Sequence, residues 1–108
     1  MRIERYGIYL ADLNPTRGAE ISKTRPVVVV SEGEMNAALQ TVVVCPLTTT
    51  IHAGWRSRIA VTCAGRKAEI AVDQIRSIAK ERLLKKVDQI TVATAKELRL
   101  LISEMYGE

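Results

Sequence analysis

The sequence predicts a small, mainly β protein whose strands form a strongly bent antiparallel sheet or barrel, followed by one C-terminal helix. Two observations predict this fold class. Five or so short runs of β-forming residues follow one another with turn residues between them. After these runs, the spacing of apolar residues changes to that of a helix. The chain has 108 residues, which is the size of one domain, so we expect a single domain over residues 1–108.

The strands are expected at residues 7–13, 27–30, 41–45, 58–62 and 69–78, the last with a bend. The run of four valines at 27–30 is typical of a strand buried on both faces. Pro26 can begin that strand but cannot lie at its centre. Pro46 is expected to end the third strand, residues 64–67 to form a turn, and residues 35–39 to form one helical turn.

The C-terminal helix is predicted to begin at a capping box, with Thr94 as the N-cap and Glu97 reaching back three residues later. Gly107 is expected to end it. Four apolar residues follow the cap at i, i+3, i+4 and i+7: Leu98, Leu101, Ile102 and Met105. Because one helix cannot bury its own apolar stripe, we expect it to pack on the sheet or on another subunit.

Composition excludes several kinds of function. The net charge of +4 fits a polyanionic partner, although many inert domains share it. No apolar run can span a bilayer and no secretion signal is visible, so we expect a cytoplasmic protein without membrane contact. The glycines are scattered, so no phosphate loop is predicted. His52 is the single histidine, and Cys45 and Cys63 lack metal-ligand spacing, so we expect no metal or other cofactor.

Polar residues concentrate just outside two strand ends. Glu20, Lys23 and Arg25 precede the valine strand, and Thr48 and Thr49 follow the next strand. If these strands are antiparallel neighbours, Arg25 and Thr48 converge. A guanidinium beside a hydroxyl and backbone N–H groups makes a phosphate-binding site. The alternative is an Arg–Glu pair that braces a loop, with threonines at a β edge.

Three segments resemble the signature motifs of the MazF/PemK toxin family, and they occur in the family's order. They are GIYLADLNPTRGAEISKTRPVVVVS at residues 7–31, CPLTT at 45–49 and VDQIRSI at 72–78. The resemblance implies an SH3-like or CcdB-like β-barrel with a C-terminal helix, acting as a homodimer. It also implies a sequence-specific, metal-independent endoribonuclease that cleaves single-stranded RNA, mainly mRNA, and that is neutralised by the acidic C-terminal segment of a cognate antitoxin.

The resemblance also implies roles for individual residues. The family's catalytic arginine corresponds to Arg25, its catalytic threonine to Thr48 and its loop glutamate to Glu20. Glu20 is either the general base or the residue that orients Arg25. Separately from the resemblance, the candidate RNA contacts are Arg17, Lys23, Thr49, Arg56, Gln74 and Arg76. Gln74 can read a base edge, or it can satisfy a loop as part of a buried strand. For each of the charged residues among them, a solvated surface position is the alternative interpretation.

Two other functions stay open from the sequence alone. One is a non-catalytic module that binds a protein target, as in the gyrase-poisoning relatives of this fold; the other is an SH3-like nucleic-acid binder without turnover. Trp55 has two interpretations as well, because it can stack on a base or anchor its loop.

Overall fold

The computed structural model describes residues 1–14, 18 and 23–107. Within these residues the chain forms seven strands, two α-helices and two short 3₁₀ turns. The elements are β1 (Gly7–Asp12), β2 (Thr24–Val29), α1 (Gly33–Ala38), β3 (Thr41–Thr48), β4 (Arg58–Cys63), β5 (Arg66–Ala71), a 3₁₀ turn (Val72–Gln74), β6 (Arg76–Ala79), a 3₁₀ turn (Lys80–Arg82), β7 (Leu83–Gln89) and α2 (Val92–Tyr106).

The strands form one antiparallel sheet in the order β4-β5-β3-β2-β1-β7, and β6 pairs with the first half of β3. The sheet curls until its two outer strands meet. β4 contacts β7, and the Ala64 N–H, in the turn after β4, donates a 2.7 Å hydrogen bond to the Asp88 carboxylate of β7. The result is a half-barrel, and the prediction of a bent antiparallel sheet with a C-terminal helix is confirmed.

The sheet has a buried cluster on each face, and the valine strand contributes to both. Val28 packs in the cluster that includes Ile70 and Leu98. Val27 and Val29 point to the opposite cluster, which includes the fully buried Tyr9 and Leu13. Since successive side chains of a strand alternate between faces, a run of valines without polar interruption is what this position requires. The predicted burial on both faces is confirmed.

Helix α2 begins three residues earlier than the capping box predicts. Thr91 is the N-cap, and its hydroxyl oxygen accepts a hydrogen bond from the Thr94 N–H. The predicted role of Thr94 as the cap is therefore wrong, because Thr94 already lies in the first turn. Gly107 ends the helix as predicted. Of the predicted stripe, Leu98 is fully buried, Leu101 and Ile102 pack partly on the same cluster, and Met105 is exposed.

Strand β3 runs through Pro46 to Thr48, so the prediction that Pro46 ends it is wrong. The first half of β3, up to Val44, pairs with β6, and Leu47 and Thr48 pair with β5. Pro46 lies between these two segments, where the strand that pairs with β3 changes from β6 to β5. Its missing N–H therefore interrupts neither the β3–β6 nor the β3–β5 pairing. Thr48 is thereby a strand residue, fixed by the sheet rather than by a loop.

The predicted strand at 69–78 is two strands, because the chain turns through 3₁₀ geometry at Val72–Gln74 between β5 and β6. The predicted turn at 64–67 is shorter, since β5 already begins at Arg66. β7 carries no strong strand pattern in the sequence. The sequence of β7 is LLKKVDQ. The strand is half-exposed because it pairs with β1 along one edge only. Among the described residues, no helix combines the length and apolar character needed to cross a bilayer.

Candidate functional site

One cleft contains both Arg25 and Thr48, the two residues that the sequence predicts to converge at neighbouring strand ends. Val27 of β2 lies opposite Pro46 of β3, and Arg25 and Thr48 each lie two residues beyond this pair, at the same end of the two strands. Both residues line a cleft of about 370 Å³, which is large enough to hold part of a nucleotide chain. The described residues that line it are Leu10, Thr24, Arg25, Pro26, Leu47, Thr48, Thr49, Cys63, Ala64, Arg66, Ala68 and Val87.

The Thr48 hydroxyl is set up to donate a hydrogen bond. Thr48 is the last residue of β3 and is only 7% exposed. Its Oγ1 accepts a hydrogen bond of 3.1 Å from the backbone N–H of Thr50. Because that amide occupies a lone pair of the oxygen, the hydroxyl proton remains available to a ligand oxygen in the cleft. The strand and this local turn together fix the hydroxyl before any ligand binds.

Arg25 supplies a guanidinium group to the cleft. It is the second residue of β2, is half-buried, and lies opposite Ala11 of β1. A guanidinium is protonated at all physiological pH values and presents a planar fork of N–H donors. Such a fork matches two oxygens of one phosphate group. The cleft therefore has the composition of a site for a phosphodiester.

A second guanidinium lines the same cleft. Arg66 begins β5, directly after the turn at Ala64 and Gly65. The two turn residues both have positive φ, 48° and 81°, which makes the reversal tight. Sequence reasoning missed Arg66 because residues 64–67 read as an ordinary polar turn. The pairing of β3 with β5, through Leu47 opposite Ile70, is what carries Arg66 to the site.

The walls of the cleft are largely apolar. Leu10, Pro26, Leu47 and Val87 line it between the two arginines and Thr48. An apolar wall beside two guanidinium groups suits a ligand with a flat, weakly polar part and an anionic part, as in a nucleotide.

The other residues that the sequence singled out are distributed unevenly around this cleft. Thr49 lines it and is exposed. Lys23 precedes β2, is exposed, and has a left-handed backbone (φ 70°) that Asn14 stabilises by accepting its N–H. Glu20 and Arg17 lie outside the described residues.

Three predicted RNA contacts are not brought to the cleft. The exposed Arg56 forms an ion pair with Glu104 of α2. Gln74 lies in the 3₁₀ turn after β5, and Arg76 lies in β6 opposite Val44. Among the described residues that line the cleft, none of these three is present.

Trp55 has partners within its own chain. Trp55 is half-exposed, and its ring stacks on the His52 ring with 3.9 Å between the ring centroids and an angle of 13° between the ring planes. The Arg58 guanidinium lies 4.9 Å from the centroid of the Trp55 ring. The interpretation as a loop anchor therefore has direct contacts to support it.

Both cysteines are free and buried. Burial, with a smaller effect of the Asp73 charge, raises the pKa of the Cys45 thiol to about 12. Burial and the Asp88 charge raise the pKa of the Cys63 thiol, which lines the cleft. Neither cysteine is a thiolate near neutral pH, so neither is a nucleophile there. Within the described part of the chain, no three His, Cys, Asp or Glu residues are grouped to hold a metal ion.

The curled sheet and its cleft define a small β protein whose site fits a phosphodiester. Comparison with known proteins then gives the family. The family model for the PemK-like, MazF-like toxin of type II toxin–antitoxin systems matches residues 4–106. The chain belongs to this family.

Two curated relatives are similar over most of the chain. Endoribonuclease MazF9 of Mycobacterium tuberculosis is 32% identical over 105 residues, covering 89% of each chain. Endoribonuclease MazF of Staphylococcus saprophyticus is 30% identical over 110 residues, covering 97% of this chain and 92% of that one.

Solved structures share the fold. MazF from Deinococcus radiodurans superposes with a TM-score of 0.87 at 18% identity, covering 100% of this chain and 99% of that one. A mycobacterial endoribonuclease in complex with its cognate antitoxin superposes with a TM-score of 0.80 at 21% identity, covering 97% and 95%. At these identities, the similarity establishes the fold.

Proposed function

We propose that this protein is the toxin of a type II toxin–antitoxin pair and acts as an endoribonuclease on single-stranded RNA. Family membership and the two endoribonucleases among its relatives support the activity. The observation that carries the proposal is the convergence of Arg25 and Thr48 in one cleft.

The proposed reaction uses the nucleophile that RNA itself contains. The 2′-oxygen attacks the adjacent phosphorus, the bond to the 5′-oxygen breaks, and the products are a 2′,3′-cyclic phosphate and a free 5′-hydroxyl. One proton leaves the 2′-hydroxyl and one reaches the departing 5′-oxygen. The protein must therefore align the attack in line, neutralise the phosphorane and manage these two protons.

Each residue of the cleft suits one part of this task. Arg25 neutralises the charge that develops on the non-bridging oxygens, since its guanidinium can hold two of them. A guanidinium is a poor general base, so Arg25 is unsuited to take the proton of the 2′-hydroxyl. Thr48 donates a hydrogen bond from its hydroxyl group to a phosphate oxygen. Arg66 holds a neighbouring phosphate. Glu20 is the general base or the residue that orients Arg25.

The partners follow from the same proposal. A related endoribonuclease has been solved with its cognate antitoxin. We infer that this chain also has an antitoxin, whose acidic C-terminal segment occupies the cleft, and the net charge of +4 supports an acidic partner. We infer a homodimer as well, because apolar side chains such as Leu100 and Val92 of α2 are exposed. Its site of action is the cytoplasm, where mRNA is found.

Incubation of the purified protein with a long single-stranded RNA in EDTA tests the proposal. We expect discrete fragments that carry 5′-hydroxyl ends, so that they are labelled by polynucleotide kinase without prior phosphatase treatment. The Arg25→Ala variant, purified in parallel, controls for contaminating nucleases. Intact RNA that is retained in a gel shift would instead indicate a binding module. Intact, unbound RNA would favour a protein target, and cleavage that EDTA abolishes would contradict the metal-independent reaction.

A further inference from the structure

A buried carboxylate lies directly beside the Thr48 backbone. Glu69 of β5 is the cross-strand partner of Thr48, and its side chain is 7% exposed. Its Oε1 accepts a hydrogen bond of 3.0 Å from the backbone N–H of His52. Together with the hydrogen bond from Thr50 N–H to Thr48 Oγ1, this bond fixes the chain at both ends of the segment 48–52. We call this segment the threonine turn.

Glu69 is itself held by a buried arginine. Arg58, the first residue of β4, has a side chain that is 7% exposed. Its Nη1 lies 3.8 Å from Glu69 Oε1, and its Nε donates a 2.8 Å hydrogen bond to Asp73. The same guanidinium lies under the Trp55 ring, which stacks on His52. Glu69 therefore contacts the backbone of the threonine turn, and Arg58 contacts the Trp55 ring that stacks on His52 of the same turn.

This arrangement is poor as a source of stability. Burying two charges costs several kcal/mol per ion, and an apolar pair of similar volume is often as stable or more so. The guanidinium of Arg58 hydrogen-bonds Asp73, but its contact with Glu69 is longer, at 3.8 Å. Among the described residues the buried Nη1 of Arg58 has no hydrogen-bond acceptor, so it interacts with Glu69 at 3.8 Å by charge alone. A role in positioning accounts for the pair better than a role in stability.

We propose that Glu69, held in place by Arg58, is a positioning residue that fixes the threonine turn and thereby directs the Thr48 hydroxyl into the cleft. The inference rests on the proposed function of that cleft. Glu69 does not touch the RNA; it acts through the His52 amide. If the turn shifts, the Thr50 amide no longer holds the Thr48 oxygen. A misplacement of about 1 Å can lower the rate of an enzyme by about 10²-fold.

Two substitutions of Glu69 separate the hydrogen bond from the charge. Glu69→Gln keeps an oxygen that accepts the His52 N–H, whereas Glu69→Val removes the acceptor and suits a buried strand position. We expect Glu69→Val to lower kcat by about 10- to 100-fold with KM unchanged. We expect Glu69→Gln to restore most of kcat. Glu4→Gln is the control, because it also removes one carboxylate, but one that pairs with Lys86 and contacts neither Arg58 nor the threonine turn, so its kcat should equal that of the wild type.

The decisive measurement repeats Glu69→Val in a Thr48→Val background, with kcat and KM determined on a short RNA and folding followed by circular dichroism. If Glu69 acts through Thr48, it causes no further loss there. An equal loss in both backgrounds, a rise in KM alone, or a Glu69→Val enzyme with wild-type kcat would overturn the positioning role. A wild-type protein that leaves RNA intact would instead overturn the proposed function itself.

Discussion

At the residue scale, the proposed mechanism assigns the neutralisation of charge to Arg25 and the donation of a hydrogen bond to Thr48. Arg25 holds a permanent positive charge at the end of a strand, and Thr48 offers a hydroxyl whose oxygen is already occupied by the Thr50 amide. The hydrogen bond from the Thr50 amide fixes the Thr48 oxygen before any ligand binds. Donors that are fixed in advance stabilise a developing negative charge more effectively than water, which must reorient.

Arg66 is predicted to make one contact with a phosphate of the bound RNA. Arg66→Gln should weaken binding of a non-cleavable RNA that carries 2′-deoxyribose at the cleaved position. Because one phosphate contact releases about one counterion from a single strand, the slope of log K against log salt should fall by about 0.7. Fluorescence anisotropy over a salt series measures both quantities.

Lys96→Gln is the control for Arg66→Gln. Lys96 lies exposed on α2, does not line the cleft, and loses the same charge when substituted. An equal change of slope in the two variants would mean that Arg66 acts only through the net charge of the protein.

At the element scale, the N-terminus of α2 depends on one side chain. Thr91→Ala removes the oxygen that accepts the Thr94 N–H, so it should lower the free energy of unfolding by about 1 kcal/mol. Thr91→Ser keeps the hydroxyl and should retain most of the stability. Urea denaturation followed by far-UV circular dichroism measures the difference. Equal stability of Thr91→Ala and the wild type would contradict the assignment of the cap.

The elements also show which local signals the fold obeys and which it overrides. The valine run predicts β2 because burial on both faces leaves no polar position in it. Thr94 satisfies the capping-box pattern, yet Thr91 caps the helix because α2 begins as soon as the chain leaves the buried Ile90. β7 could not be predicted, since its Lys85 and Lys86 are exposed and its pairing with β1 connects distant parts of the chain.

At the scale of the whole molecule, the cleft exists because the sheet curls. Arg25 and Thr48 come from strands that are neighbours in the chain order, so their convergence follows from a simple antiparallel pairing that the sequence can predict. Arg66 and Glu69 reach the site through the pairing of β5 with β3 and β4. That pairing depends on tertiary packing, and no local pattern marks either residue as part of a site.

The proposal that Arg25 and Thr48 act together in RNA cleavage has one decisive test. It is the single-turnover rate of RNA cleavage in EDTA, compared between wild type, Arg25→Ala and Thr48→Val. In the proposed mechanism the two substituted side chains act on the same phosphodiester, and neither belongs to the buried apolar clusters of the fold. We therefore expect all three proteins to fold alike, Arg25→Ala to show no cleavage, and Thr48→Val to be slower by about 10²-fold. Wild-type cleavage rates in a folded Arg25→Ala protein would contradict the assignment of the cleft as the site of reaction.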